Sequence, residues 1–117
     1  MSFVHYLYLG HFEPDGEFVR FVPPSPRVPS LTPLVRRPLN QGIIVELLQE
    51  RGVARGNRSV FPDDWPMWFG DGFLICKQFE LSPEMVDFLI RLAKTTGCEI
   101  VDVNARRIVP PDELLGK

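Results

Sequence analysis

The spacing of hydrophobic residues along the chain predicts a protein that combines strands and helices. Between Phe3 and Leu9, aromatic and aliphatic residues occupy both alternating sets of positions. This pattern is typical of a strand that is covered on both faces, and it therefore places the strand in the centre of a sheet. A turn built on Pro14 and Gly16 follows, and residues 18–22 return as a second strand. The N-terminal part thus predicts a hairpin.

Two segments carry hydrophobic residues at helical spacing. Residues 41–51 follow Asn40, whose side chain suits a helix N-cap. Residues 83–96 follow Ser82, a second good N-cap, and stop at Gly97. The second helix has the wider apolar face, so both helices are expected to pack against a sheet.

Three more strands complete the pattern, at residues 73–77, 98–103 and 107–109. Prolines recur from 23 to 38 and disfavour both helix and ladder pairing, so this segment is predicted to be an extended crossover. The order of elements predicts an α+β fold with a mixed or antiparallel sheet of four to five strands and two helices packed on one face. A chain of 117 residues fits one such domain, covering 1–117.

The most informative stretch is Ser59–Phe73, which we call the acid–aromatic segment. It fits none of the predicted elements, yet it contains both tryptophans, Trp65 and Trp68, and no basic residue. One interpretation is a core segment in which Trp65 plugs the sheet while the acids cap a turn. The other is a partner-binding surface, since aromatic residues anchor interfaces and acids attract a basic partner. In the second interpretation the contact residues are Asp63, Asp64, Trp65, Trp68 and Asp71.

Charge is distributed unevenly although the net charge is only -2. Six arginines against two glutamates lie between Arg27 and Arg58, whereas ten acids against six bases follow Ser59. Such asymmetry can guide a charged partner. The aromatic residues lie among acids and not among bases, and the pI is about 5.6, which argues against nucleic-acid binding.

Cysteine usage and hydropathy indicate a protein of the reducing cytoplasm. The two cysteines, Cys76 and Cys98, stand in apolar contexts and are expected to be buried free thiols. The N-terminus lacks the basic start of a signal peptide. No apolar run approaches the roughly 20 residues needed to span a bilayer, so no membrane association is expected.

No motif in the sequence names a reaction, a metal or a cofactor. Phosphate-binding loops, zinc-binding helices and nucleophile elbows are all missing from the sequence. An alternative to a binding protein is a small enzyme or ligand-binding domain with a pocket near His5, His11 and Cys76. Another is a subunit or adaptor of a larger assembly, docked through the proline-rich residues 23–38. The sequence does not fix the oligomeric state.

The C-terminal passage SPEMVDFLIRLAKTTGCEIVDVNARRIVPPDEL, which covers less than a third of the chain, resembles the ends of many small bacterial immunity proteins. The shared pattern is a capped helix, a glycine stop, a strand carrying Asp102 near its end, and a short return strand. The resemblance implies a non-enzymatic protein that neutralises a bacterial toxin or effector by occluding its active site. It transfers no individual site residue, because such proteins diverge most where they contact their toxins.

Overall fold

An antiparallel sheet forms the centre of the protein, as seen in a computed structural model that describes residues 5–22, 32–57 and 59–114. In chain order, the elements of the described protein are β1 (Tyr6–Phe12), β2 (Pro14–Asp15), β3 (Phe18–Val19), β4 (Phe21–Val22), β5 (Thr32–Pro33), β6 (Val35–Arg37), α1 (Gln41–Glu50), β7 (Met67–Phe69), β8 (Leu74–Lys77), α2 (Pro83–Thr96), β9 (Glu99–Asp102) and β10 (Arg107–Val109). Short 3₁₀ turns cover Gln78–Glu80 and Pro111–Leu114. In the central sheet the spatial order of strands is β10-β9-β1-β8-β7, and β6 pairs with the end of β1. The pairs β2–β3 and β4–β5 form two separate small sheets. The predicted α+β class and the two helices on one face are confirmed.

The first strand is central because it is apolar on both faces. It pairs with β8 on one side and with β9 on the other. Leu7 and Leu9 are fully buried beneath the helices. Tyr6 and Tyr8 alternate with them and therefore point to the opposite face of the sheet.

Both helices begin where the sequence predicts; α2 also ends there, and α1 ends one residue earlier, at Glu50, with Arg51 as its C-cap. The Asn40 side chain accepts a hydrogen bond from the Gly42 amide at 2.8 Å, which caps α1. The Ser82 hydroxyl accepts one from the Met85 amide at 3.3 Å, which caps α2. Gly97 ends α2 in the left-handed region at φ 71°, a conformation that glycine adopts without the steric cost other residues incur.

The two faces of the sheet have separate apolar clusters. Under α1 and α2 lies the larger cluster, which includes the fully buried Phe88 and Leu89 of α2. A smaller cluster on the opposite face joins Phe12, Phe73 and Val101 to Val19 of the β2–β3 hairpin. The two short hairpins, β2–β3 and β4–β5, therefore act as a partial cover for the face that the helices leave open.

Three expectations about local structure are wrong. The predicted hairpin of residues 3–9 with 18–22 does not form, because β1 pairs with β6, β8 and β9, while residues 18–22 divide into β3, which pairs with β2, and β4, which pairs with β5. The acid–aromatic segment contains a regular element after all, since β7 pairs with β8; the ladder forms because Met67 has a core position to fill, at 4% exposure. The proline-rich crossover also contains strands, β5 and β6. Pro33 is tolerated in β5 because a two-residue strand at the margin of the fold does not need its missing amide.

Some predictions fall outside the residues that the structure describes. These are the start of the first strand at Phe3 and Val4 and residues 23–31 of the crossover. Within the described ranges, no helix is both long enough and apolar enough to cross a bilayer.

Candidate partner-binding surface

The first half of the acid–aromatic segment is folded onto the core. Phe61 is 1% exposed and packs edge-on against Phe88, with ring centroids 6.1 Å apart. Trp65 stacks on Phe61 at 6.4 Å and meets Phe88 edge-on at 5.8 Å. Three aromatic rings thus form a cluster above α2, with Trp65 as its partly buried outer member. Trp65 is a packing residue of the helical side of the sheet.

Hydrogen bonds hold this half in place. The Gly56 amide donates to the Phe61 carbonyl at 3.0 Å. The Asp63 carboxylate accepts from the Asn57 backbone amide at 3.0 Å and from its side-chain amide at 3.1 Å. A Cβ at Gly56 would overlap both the Phe61 carbonyl oxygen and the Asp63 carboxylate. The backbone at Gly56 and the backbone at Phe61 therefore approach each other as closely as glycine allows. Asp63 has a structural role in this turn.

The second half of the segment places its indole on the other face. In β7, Met67 points into the helical core, and Trp68 therefore points the opposite way. Trp68 remains 39% exposed and makes an edge-to-face contact with Tyr6, with ring centroids 6.1 Å apart at 85°. The structure thus separates the two tryptophans that the sequence grouped together: Trp65 belongs to the core, and Trp68 belongs to the surface.

Trp68 ends a row of side chains that runs across the sheet. In the strand register, Trp68 lies opposite Ile75, Ile75 lies opposite Tyr8, and Tyr8 lies opposite Val101. Val101 is fully buried, whereas Ile75 and Tyr8 are half-buried. Burial raises the pKa of Tyr8, and the neighbouring Tyr6 adds to the rise, so its phenol stays protonated and available as a donor. The row of side chains therefore runs from the buried Val101 to the exposed Trp68.

Two acids flank the exposed end. Asp64 and Asp71 are exposed, one before β7 and one in the turn after it. Within the described ranges, neither these acids nor Asp63 form an ion pair, in contrast to acids elsewhere such as Glu99, which meets Arg36 at 3.3 Å. The negative charge next to Trp68 is therefore not neutralised by ion pairs with other described residues.

The turn that carries Asp71 is well fixed. The Gly70 amide donates to the Phe73 carbonyl at 2.7 Å, and the Leu39 amide donates to the Gly72 carbonyl at 2.8 Å. Gly72 has a φ of 88°, in the region that favours glycine. A rigid turn holds the Asp71 backbone in a constant position beside β7, which limits the ordering cost on binding.

The two histidines of the alternative pocket do not come together. His5 precedes β1 and His11 lies near its far end. Cys76 is fully buried in the helical core, and burial raises the pKa of its thiol far above the ordinary value. Burial also raises the pKa of Cys98. Both thiols therefore stay protonated, which opposes a nucleophilic role.

His11 is 5% exposed, and its Nδ1 has no hydrogen-bond partner among the described residues. Burial lowers its pKa; nearby Arg37 and Arg36 also lower it, while Glu99 opposes the shift. The described part of the chain holds no group of three or more His, Cys, Asp or Glu residues that could hold a metal ion.

A groove of about 360 Å³, lined by residues of β1, α2 and β10, lies next to His5 of the alternative pocket. Its apolar lining includes Leu7, Val86 and Phe79, and Asp102 and Arg107 stand among its polar residues. Phe79 is 72% exposed and contacts the His5 ring at 4.6 Å. Phe79 sits in a 3₁₀ turn outside any periodic pattern, which explains why hydrophobic spacing did not point to it.

Comparison with known proteins gave no match, whether to a family model, to a curated protein or to a solved structure.

Proposed function

We propose that the protein is a non-enzymatic protein-binding domain whose contact surface is the β7 end of the acid–aromatic segment. Trp68 would be the anchor, with Asp64 and Asp71 as the charges that meet the partner. Asp63 and Trp65, which the sequence placed in the same surface, would support it from beneath. The single observation that carries the proposal is an exposed tryptophan flanked by two carboxylates that form no ion pair with any residue the structure describes.

The physical basis is that an exposed aromatic surface forfeits stabilisation that a partner could recover. Full burial of a large apolar side chain is worth on the order of 1.5–3 kcal/mol, and the 39% of Trp68 that stays exposed forfeits a fraction of that. Tryptophan is enriched among residues that dominate interface energies, and adjacent charges mainly speed association and select the partner. A partner that presents a basic surface around an apolar pocket would satisfy both features.

The partner that best fits this chemistry is a basic toxin or effector domain, and we infer that the protein is its immunity protein. The inference rests on the resemblance of the C-terminal passage to small bacterial immunity proteins. Binding would neutralise the toxin by covering its active site. The two buried, free thiols fit a reducing compartment, and we place the protein in the cytoplasm, where an immunity protein acts.

The test is a calorimetric titration of the protein with the purified product of the adjacent gene. Trp68→Ala should weaken binding by about thirtyfold, since an interface anchor is worth roughly 2 kcal/mol. Phe18→Ala is the matched control, because Phe18 is 46% exposed but lies on β3, and it should change the affinity less than about twofold.

Charge is tested with Asp64→Asn and Asp71→Asn combined, against the exposed Glu46→Gln of α1. The double variant should lower the association rate and its dependence on salt, while the control should not. The proposal is refuted if the adjacent product does not bind, or if it binds the Trp68 variant and the double variant as tightly as the parent protein.

A second candidate function is ligand binding in the groove under Phe79. The groove volume lies within the range of small-molecule sites, and its lining is mainly apolar with a few polar groups. A fragment screen followed by protein NMR tests this. Shifts confined to Val86, Val109 and their neighbours would support a ligand site; the lack of any saturable shift would rule it out.

A further inference from the structure

Among the described residues, the sheet has an open edge at β7. β7 is the terminal strand and pairs only with β8. At the other end, β10 is partly covered, because the Ile108 amide donates to the Glu17 carbonyl at 2.9 Å next to β3. An uncovered edge is a site where another chain can add a strand.

The hydrogen-bond pattern shows which groups face outward. The Lys77 amide donates to the Pro66 carbonyl at 2.9 Å, and the Gly70 amide donates to the Phe73 carbonyl at 2.7 Å. In an antiparallel ladder, bonded pairs recur at every second residue. Trp68 therefore bonds to β8, while the N–H and C=O groups of Met67 and Phe69 point away from it. No described residue supplies a partner for these outward groups.

The charges around the edge select the kind of strand that would fit. Asp64 lies before β7 and Asp71 after it, and the segment contains no base. A second copy of this chain added antiparallel to β7 would bring the Asp63–Asp64 end of one copy close to Asp71 of the other. Like charges in that position disfavour self-pairing, whereas a strand with basic side chains gains from both acids.

We propose that the β7 edge accepts an extended, basic segment of a partner protein as an added strand, bonded to the backbone of Met67 and Phe69 and covered on one face by Trp68. The identity of that partner rests on the proposed function, but the mode of binding is a property of the edge itself. Hydrogen bonds to the backbone would supply binding energy that any added strand could gain. The Trp68 ring and the carboxylates of Asp64 and Asp71 would supply the selectivity.

The test uses an acetylated and amidated heptapeptide of alternating lysine and valine as the probe, added to isotope-labelled protein. We expect saturable binding below about 1 mM. At saturation, exchange of the Met67 and Phe69 amide hydrogens should slow by at least about tenfold, with little change at Trp68, whose amide already bonds to β8.

Three comparisons separate strand addition from simple charge attraction. The same peptide with every internal amide N-methylated keeps its charge but cannot donate, and it should bind at least about tenfold more weakly. A peptide with glutamate in place of lysine should not bind. Asp64→Lys combined with Asp71→Lys should weaken binding of the parent peptide, whereas Glu46→Lys should not.

The inference is overturned if the lysine–valine peptide does not bind up to about 1 mM, if binding leaves Met67 and Phe69 exchange unchanged, or if the methylated peptide binds equally well. It is also overturned if the protein dimerises and the dimer protects the same two amides.

Failure of the proposed function looks different: the adjacent gene product would not bind, while the peptide would still protect the edge. Conversely, a partner that binds through Trp68 without protecting Met67 and Phe69 would leave only the proposed function standing.

Discussion

The two tryptophans should respond differently to truncation, although they are separated by only two residues. Trp65 contacts two buried rings, Phe61 and Phe88, with centroids 6.4 and 5.8 Å away. Trp68 contacts a single ring, that of Tyr6, and stays 39% exposed. Replacing each by alanine therefore removes a core member in one case and a surface member in the other.

The expected costs follow from these contacts. Truncating an aromatic residue in a core costs about 3–5 kcal/mol, and the partly buried Trp65 should lie near the low end, at about 3 kcal/mol. That value includes two ring pairs worth about 0.5–1.5 kcal/mol each. Trp68→Ala should cost about 1 kcal/mol, since it has one such pair and leaves no enclosed cavity.

Urea denaturation followed by far-ultraviolet circular dichroism measures both free energies of unfolding without using the tryptophans as reporters. In a thermal scan, Trp65→Ala should lower Tm by roughly 12 °C and Trp68→Ala by roughly 4 °C, at about 4 °C per kcal/mol for a domain of this size. The assignment of Trp65 to the core is refuted if it costs less than about 1 kcal/mol, or if Trp68→Ala costs as much as Trp65→Ala.

Three further predictions concern packing and titration. Gly56→Ala should destabilise the protein by about 2 kcal/mol in urea denaturation, because its methyl group would overlap the Phe61 carbonyl; an unchanged midpoint would contradict this contact. Because burial lowers the pKa of His11, the unfolded chain binds the proton more tightly, so stability should fall as the pH drops through about 6.5; His11→Phe should flatten the dependence between pH 7 and 5, and an equal slope would refute it. Cys76 and Cys98 should react with a thiol reagent at pH 8 only after unfolding, because burial raises both pKa values; rapid labelling of the folded protein would contradict their burial.

Much of the fold follows from local sequence signals. Asn40, Ser82 and Gly97 define helix ends through short-range capping chemistry, so their positions can be predicted without knowledge of the tertiary structure. The apolar character of both faces of β1 likewise predicts its central place in the sheet. These features depend on neighbours within a few residues, which a single sequence contains.

The elements that were missed depend on the strands that pair with them. β7 is only three residues long, and it exists because β8 supplies a ladder and the helical core accepts Met67. β5 pairs with the preceding strand β4, and β6 pairs with the end of β1, despite the prolines around them. Short strands of this kind have too few residues to show a clear alternation.

The sequence singled out the acid–aromatic segment and five candidate residues in it, but not their arrangement. It could not assign Trp65 and Trp68 to opposite faces, because that requires knowing that a strand begins at Met67. It also could not show that Asp63 is engaged by Asn57, since that pairing depends on the close approach at Gly56.

The most direct test of the central claim is the affinity of the Trp68→Ala variant for the adjacent gene product, measured beside Phe18→Ala. An anchoring role for Trp68 predicts a loss of about thirtyfold for Trp68→Ala and less than about twofold for Phe18→Ala. Equal affinities for the two variants would show that the exposed end of β7 is not the partner-binding surface.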